Sequence, residues 1–106
     1  MQELQTRAKQ IRALYAKLEQ QNYGRSWSRE ELMLGFVGDV GDLAKLATAK
    51  EGVRPTADLD QKLQHELADC LWSVLVLTDA YGVDIEPAFK RTMDELEVRV
   101  SKELNS

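Results

Sequence analysis

Cysteine is nearly missing from this chain. Cys70 is alone, so an intramolecular disulfide is excluded. No apolar stretch approaches the roughly 20 residues that a helix needs to cross a bilayer. The N-terminal residues are polar and mixed in charge, unlike a secretory signal. These absences lead to the expectation of a cytoplasmic protein with no membrane partner. A basic surplus is also missing: the net charge is −4, which argues against nucleic acid as a partner. No G-x-x-x-x-G-K-[ST] sequence occurs, which excludes ordinary P-loop chemistry, and no EF-hand loop is present. No His/Cys cluster offers a zinc site. Strand-like alternation is absent too, the short run Leu75-Val76-Leu77 being ambiguous only in isolation.

What remains reads as one all-α domain over residues 1–106. Leu4, Ala8, Ile11, Tyr15 and Leu18 recur with helical period, and Asn22-Tyr23-Gly24 ends that helix, with Gly24 suited to a left-handed terminus. Ser28 and Glu31 form a capping box for a second helix that runs to about Lys50. The segment from Glu51 to Pro55 is a connector. A third helix begins near Asp58 and ends near Tyr81-Gly82. Asp84 is a suitable N-cap for a fourth, with Pro87 tolerated in its first turn. Ile85, Phe89, Met93, Leu96, Val100 and Leu104 form its apolar stripe. The expected architecture is a four-helix bundle. The third helix has almost no polar face from Cys70 to Leu77, so it must be covered on all sides, which predicts a homo-oligomer.

Two acidic pairs interrupt apolar runs. Asp39 and Asp42 lie within Leu32–Leu43, and Glu66 and Asp69 within the run that begins at Leu63. Spacing of i, i+3 places each pair on one helix face. That spacing is uninformative alone, since about three such pairs are expected by chance when matches are counted. A third one, Asp94/Glu97, sits in an ordinary charged surface. The apolar setting distinguishes the first two. The chain has 18 acids and 14 bases, so the remaining acids and bases balance without these four. Carboxylates aimed into a helical core need a counter-charge. A salt bridge to Lys45 or His65 is one solution, and a divalent metal is the other. All-carboxylate ligation selects a hard cation such as Mg²⁺, with Mn²⁺ as a substitute, and Mg²⁺ is commonly completed by substrate phosphates.

Gly35, Gly38 and Gly41 recur every third residue inside the second helix, each costing about 1 kcal/mol relative to alanine. Close approach of another helix or of a ligand would compensate. Tyr23 and Trp27, before the second helix, either contact a ligand or staple the helix start. Trp72, one turn from Asp69, either walls a pocket or packs in the core. Lys50, Lys90, Arg91 and Arg99 either reach phosphates or are simply solvated. His65 reads as a surface residue or a neighbour of the ligands, and Cys70 as an inert core thiol.

Val37-Gly38-Asp39-Val40-Gly41-Asp42-Leu43, followed by Glu66-Leu67-Ala68-Asp69, resembles the MazG-like all-α nucleotide pyrophosphohydrolases. Their signature is E-E-x-x-E, then E-x-x-D on the next long helix. The likeness runs from about Tyr15 to Arg99 and is nearest to the small dCTP pyrophosphatases, with V-G-E-V-G-E-L. It implies Mg²⁺-dependent cleavage of nucleoside triphosphates between the α- and β-phosphates, in nucleotide-pool housecleaning. It implies a homodimer or dimer of dimers. By position, Asp39, Asp42, Glu66 and Asp69 would be the metal-binding and catalytic residues. Tyr23, Trp27, Trp72, Lys50, Lys90 and Arg91 are the candidates for substrate contact.

Several positions depart from that pattern. Asp39 and Asp42 are one methylene shorter than the family's Glu, which draws an ion toward the second helix or places a water between. Ala47-Thr48-Ala49 replaces an aromatic-rich segment, and Thr92 and Leu96 stand where a Lys and an Asn are usual. These departures motivate an alternative reading, a nucleotide- or metal-binding module with little or no turnover. A third reading is a purely structural bundle.

Overall fold

The computed structural model of the chain describes residues 1–52 and 58–106. Its elements are four helices: α1 (Gln2–Tyr23), α2 (Arg29–Glu51), α3 (Leu59–Ala80) and α4 (Ile85–Leu104). The described residues contain no strand. Local chemistry sets the end of α1 and the start of α2. Gly24 terminates α1 at φ 75°, donating its N–H to the Gln20 carbonyl. The Ser28 hydroxyl accepts from the Glu31 N–H at 3.2 Å, and the Glu31 carboxylate accepts from the Ser28 N–H at 3.1 Å. The capping box is therefore complete. Asp58 and Asp84 stand at the N-caps of α3 and α4, but neither side chain makes a capping hydrogen bond. Of the expected connector, Glu51 closes α2 and Gly52 follows it, while Val53, Arg54 and Pro55 lie outside the described residues.

The third helix is central and packs against both α1 and α2. Ala8, Leu59, Leu75 and Val76 form the buried apolar core, a small one for this length. The fourth helix packs closely against none of the other three. Its stripe therefore remains open: Phe89, Met93, Val100 and Leu104 are exposed, as are Leu67 and Leu71 on α3. The covering expected around α3 is thus incomplete within one chain. The radius of gyration is 17.5 Å, against about 13 Å for a compact chain of this length.

Candidate metal and nucleotide site

Antiparallel α2 and α3 enclose a groove, and its polar residues follow one another in helical register. From one end, α2 contributes Gly35, Asp39, Asp42 and Leu46, and α3 contributes Val76, Ser73, Asp69, Glu66 and Lys62. The expected acids line this groove instead of pointing into the core. Asp42 is exposed, and Asp39, Glu66 and Asp69 are half-buried. The core forms beneath them around Leu75 and Val76, which leaves the groove accessible to solvent and ligand.

Three of the four acids converge. Asp39, Asp42 and Glu66 each offer a carboxylate oxygen, and these oxygens lie within 4.8 Å of one another. That span matches the diameter of an oxygen shell around a hard cation, whose ligands stand about 2.0–2.6 Å from the ion. The Oε2 atom of Glu66 is shielded from solvent and has no hydrogen-bond partner. A shielded acceptor without a donor is costly unless something else satisfies it. Desolvation pushes the Glu66 carboxyl above its usual range, and Asp69, Asp42 and Asp39 add to that rise. An all-oxygen trio with an orphaned acceptor and mutual repulsion fits a divalent cation. Among the described residues no lysine, arginine or histidine pairs with these three acids, and the expected bridge to His65 forms only at Asp69.

Asp69 stands just outside the trio. Its Oδ2 lies 3.2 Å from His65 Nε2, one helical turn away. Asp39 is oriented from across the groove by Ser73, whose buried hydroxyl donates to Asp39 Oδ2 at 3.1 Å. Sequence reasoning passed over Ser73. Its signal was a hydroxyl four residues beyond Asp69, on the same face and within the apolar stretch Cys70–Leu77. Burial raises the Cys70 thiol pKa, with Asp39, Glu66 and Asp69 contributing, which suits an inert thiol.

An aromatic cavity of about 410 Å³ opens beside Asp39 and Asp69. Tyr15, Trp27 and Trp72 wall it, and Arg12, Glu19 and Gly35 complete much of its lining. Trp72 is therefore a cavity wall, not simply core. Its ring tilts 47° to that of Tyr15 at 5.6 Å, and its Nε1 donates to the Ala8 carbonyl at 3.2 Å. Trp27 stacks on Tyr23 at 5.2 Å, but only Trp27 reaches the cavity, and Tyr23 is exposed. A Cβ added at Gly35, Gly38 or Gly41 would meet nothing within 4 Å, so tight packing inside the chain does not explain the glycines.

A buried ion pair, also unforeseen, holds this end of the groove. Arg12 donates from Nη1 and Nη2 to both oxygens of Glu19, at 2.7 and 3.0 Å. Glu19 Oε1 also accepts the Trp27 N–H at 2.7 Å. The Arg12 hydrogen bond is the largest influence holding the Glu19 carboxyl below its usual range. Glu19 thus ties α1 to the segment that carries Trp27. Arg12 and Glu19 are seven residues apart on one face of α1, a spacing that could have revealed them.

The expected phosphate contacts fare differently. Lys50 is engaged by Asp60, and Lys90 by Glu86 at 3.5 Å on its own helix. Lys90 and Arg91 stand on α4, away from both sides of the groove within one chain. Lys50 and Lys90 thus each face a neighbouring carboxylate, and neither they nor Arg91 lines either groove cavity. A second cavity, about 580 Å³, does carry basic residues, with Lys45, Lys62 and His65 beside Asp42 and Glu66.

A model of the MazG nucleotide pyrophosphohydrolase domain matches residues 28–102, from the N-cap of α2 into the last turns of α4. No curated protein and no solved structure matches the chain. Because the match covers more than half of the sequence and ends inside the all-helical fold that carries the acidic trio, the chain belongs to the MazG nucleotide pyrophosphohydrolase family.

Proposed function

We propose that the protein hydrolyses nucleoside triphosphates to the monophosphate and pyrophosphate in a Mg²⁺-dependent reaction, as a nucleotide-pool enzyme. The observation that carries this reading is the convergence of Asp39, Asp42 and Glu66 at the edge of an aromatic-walled cavity. Membership of the family supplies the reaction class.

Asp39, Asp42 and Glu66 would hold the cation, which when bound supplies charge neutralisation at the phosphates and a more acidic water. Ser73 keeps the Asp39 carboxylate turned toward the groove. Trp27, Tyr15 and Trp72 offer apolar faces for a nucleobase, a stacking contact worth about 1–3 kcal/mol per base. Asp69, outside the trio and one helical turn from Glu66, accepts a proton from the attacking water at its carboxylate. His65 holds that carboxylate in place. Water oxygen bonds to the α-phosphorus as the bond to the bridging oxygen breaks, and the electron pair departs on pyrophosphate.

The protein works as a homodimer or dimer of dimers. The open apolar stripe of α4 and the exposed Leu67 and Leu71 favour that assembly. Light scattering of the purified protein should give a mass at least twice 12.0 kDa, and a monomer at micromolar concentration would refute it. The likeness of Val37–Leu43 to the dCTP pyrophosphatases makes dCTP the first substrate to try. The test of function is a panel of NTPs and dNTPs with Mg²⁺, assayed for pyrophosphate. Folded, metal-binding protein that releases none from any of them would overturn the hydrolase reading and leave a nucleotide-binding module.

A further inference from the structure

We propose that the cavity between Lys45 and Lys62 receives the departing pyrophosphate, so that the substrate lies along the groove with its base at Trp72 and its terminal phosphates near Leu46. This rests on the reading under Proposed function and adds a direction to it.

The acidic trio straddles two chemically different cavities. Asp39 belongs to the aromatic one, whereas Asp42 and Glu66 belong to the other. Among the described residues the second cavity has no Phe, Tyr or Trp in its lining. Lys45 comes from α2, and Lys62 and His65 come from α3, with Gln61 as a further donor. Neither Lys45 nor Lys62 has a carboxylate within 4.0 Å among the described residues, although Asp42, Asp58 and Glu66 line the same cavity. By contrast, Lys9, Lys50 and Lys90 all sit in ion pairs. Once a cation occupies Asp42 and Glu66, Asp58 is the only acid left in the lining, among the described residues, to oppose two ammonium groups. The site is then net positive and roomy, which suits a multiply charged oxyanion and not a base.

Distance along the helix agrees. Asp39 and Lys45 are six residues apart on α2, about 9 Å along its axis. A triphosphate reaching past the trio from the aromatic cavity arrives at these lysines. When the bond between the α-phosphorus and its bridging oxygen breaks, the two phosphates that carry away the electron pair are the ones facing Lys45 and Lys62. Both side chains are exposed, so their replacement leaves the core intact.

The test uses the full chain and three ligands measured by calorimetry: pyrophosphate, a nucleoside monophosphate and orthophosphate, each with Mg²⁺. K45Q and K62Q should each weaken pyrophosphate binding about tenfold, the loss of one charge-assisted contact, and the double variant more than either. Monophosphate affinity should stay within about twofold, and orthophosphate should bind more weakly than pyrophosphate throughout. Unchanged pyrophosphate affinity in the double variant overturns the proposal even if triphosphates are hydrolysed. Equal weakening of pyrophosphate and monophosphate also overturns it, because the lysines would then act on the whole groove. Lysine-dependent pyrophosphate binding without hydrolysis of any nucleotide would keep this subsite and remove the hydrolase reading.

Discussion

Replacing Arg12 by methionine isolates the ion pair that anchors the aromatic end of the groove. The two side chains are 17% and 6% exposed, so solvent screens them little. Arg12→Met leaves the Glu19 carboxylate with one donor, the Trp27 N–H. Breaking one half of such a pair costs about 3 kcal/mol. At a slope of about 2 kcal/mol per molar urea, the unfolding midpoint falls by about 1.5 M at pH 7. Glu19→Gln, which leaves a neutral acceptor near both donors, costs about 1–2 kcal/mol. The double variant should cost clearly less than the sum, with a coupling of about 2 kcal/mol. The pH dependence has a defined sign. Glu19 is held below its ordinary value of 4.5, so the pair's stabilisation is fully present above that pH and fades as pH falls below it. The gap between wild type and Arg12→Met should therefore narrow in acid. Glu31, held at about 2 by Arg25, weakens both proteins alike over the interval from 4.5 to 2. Protein concentration must be fixed, since association also contributes to stability. Additive costs, or a loss below about 0.5 kcal/mol for Arg12→Met, would refute the reasoning.

Ser73→Ala should lower Mg²⁺ affinity about tenfold while costing about 1 kcal/mol of stability, because it frees Asp39 without opening the core; a Mg²⁺ titration followed by calorimetry checks this. Glu66→Gln should raise the melting temperature in chelator, since the neutral amide escapes the desolvation and the repulsion from Asp69, Asp42 and Asp39 that burden the Glu66 carboxylate. The same change should abolish the stabilisation by Mg²⁺, which for a one-site ligand reaches about 2.7 kcal/mol at a hundred times Kd; a Mg²⁺ shift that survives would contradict the trio as its site. Trp27→Ala should weaken nucleotide binding by about 1–3 kcal/mol and leave Mg²⁺ affinity alone, measured by paired titrations. Asp69→Asn should remove turnover while retaining Mg²⁺ binding, and full activity in that variant would assign the proton to another group.

The helix termini were readable because their causes are local. Ser28 and Glu31 form the capping box their spacing promises, and Gly24 takes the left-handed conformation expected of it. The acidic pairs were readable as shared faces, but not their depth or their partition. Whether Asp69 joins Glu66 or turns to His65 depends on side-chain reach, and whether Asp42 is buried depends on how far α2 and α3 stand apart. That Lys50 meets Asp60, ten positions away, was not legible either, because only the fold brings α2 and α3 together there. Ser73 and the Arg12–Glu19 pair were hidden by ordinary composition, since a serine in an apolar helix and a charge pair on a polar one are common. The stripe of α4 was legible as apolar, yet periodicity alone cannot say which molecule covers it.

Hydrolysis in ¹⁸O-labelled water, followed by ³¹P NMR with dCTP and the other triphosphates, tests the central claim most directly. Attack at the α-phosphorus with Mg²⁺ present predicts label in the monophosphate and none in pyrophosphate, with turnover lost in Asp39→Asn. Label in pyrophosphate, release of orthophosphate and a diphosphate, or no turnover of any triphosphate by folded, Mg²⁺-bound protein would contradict it.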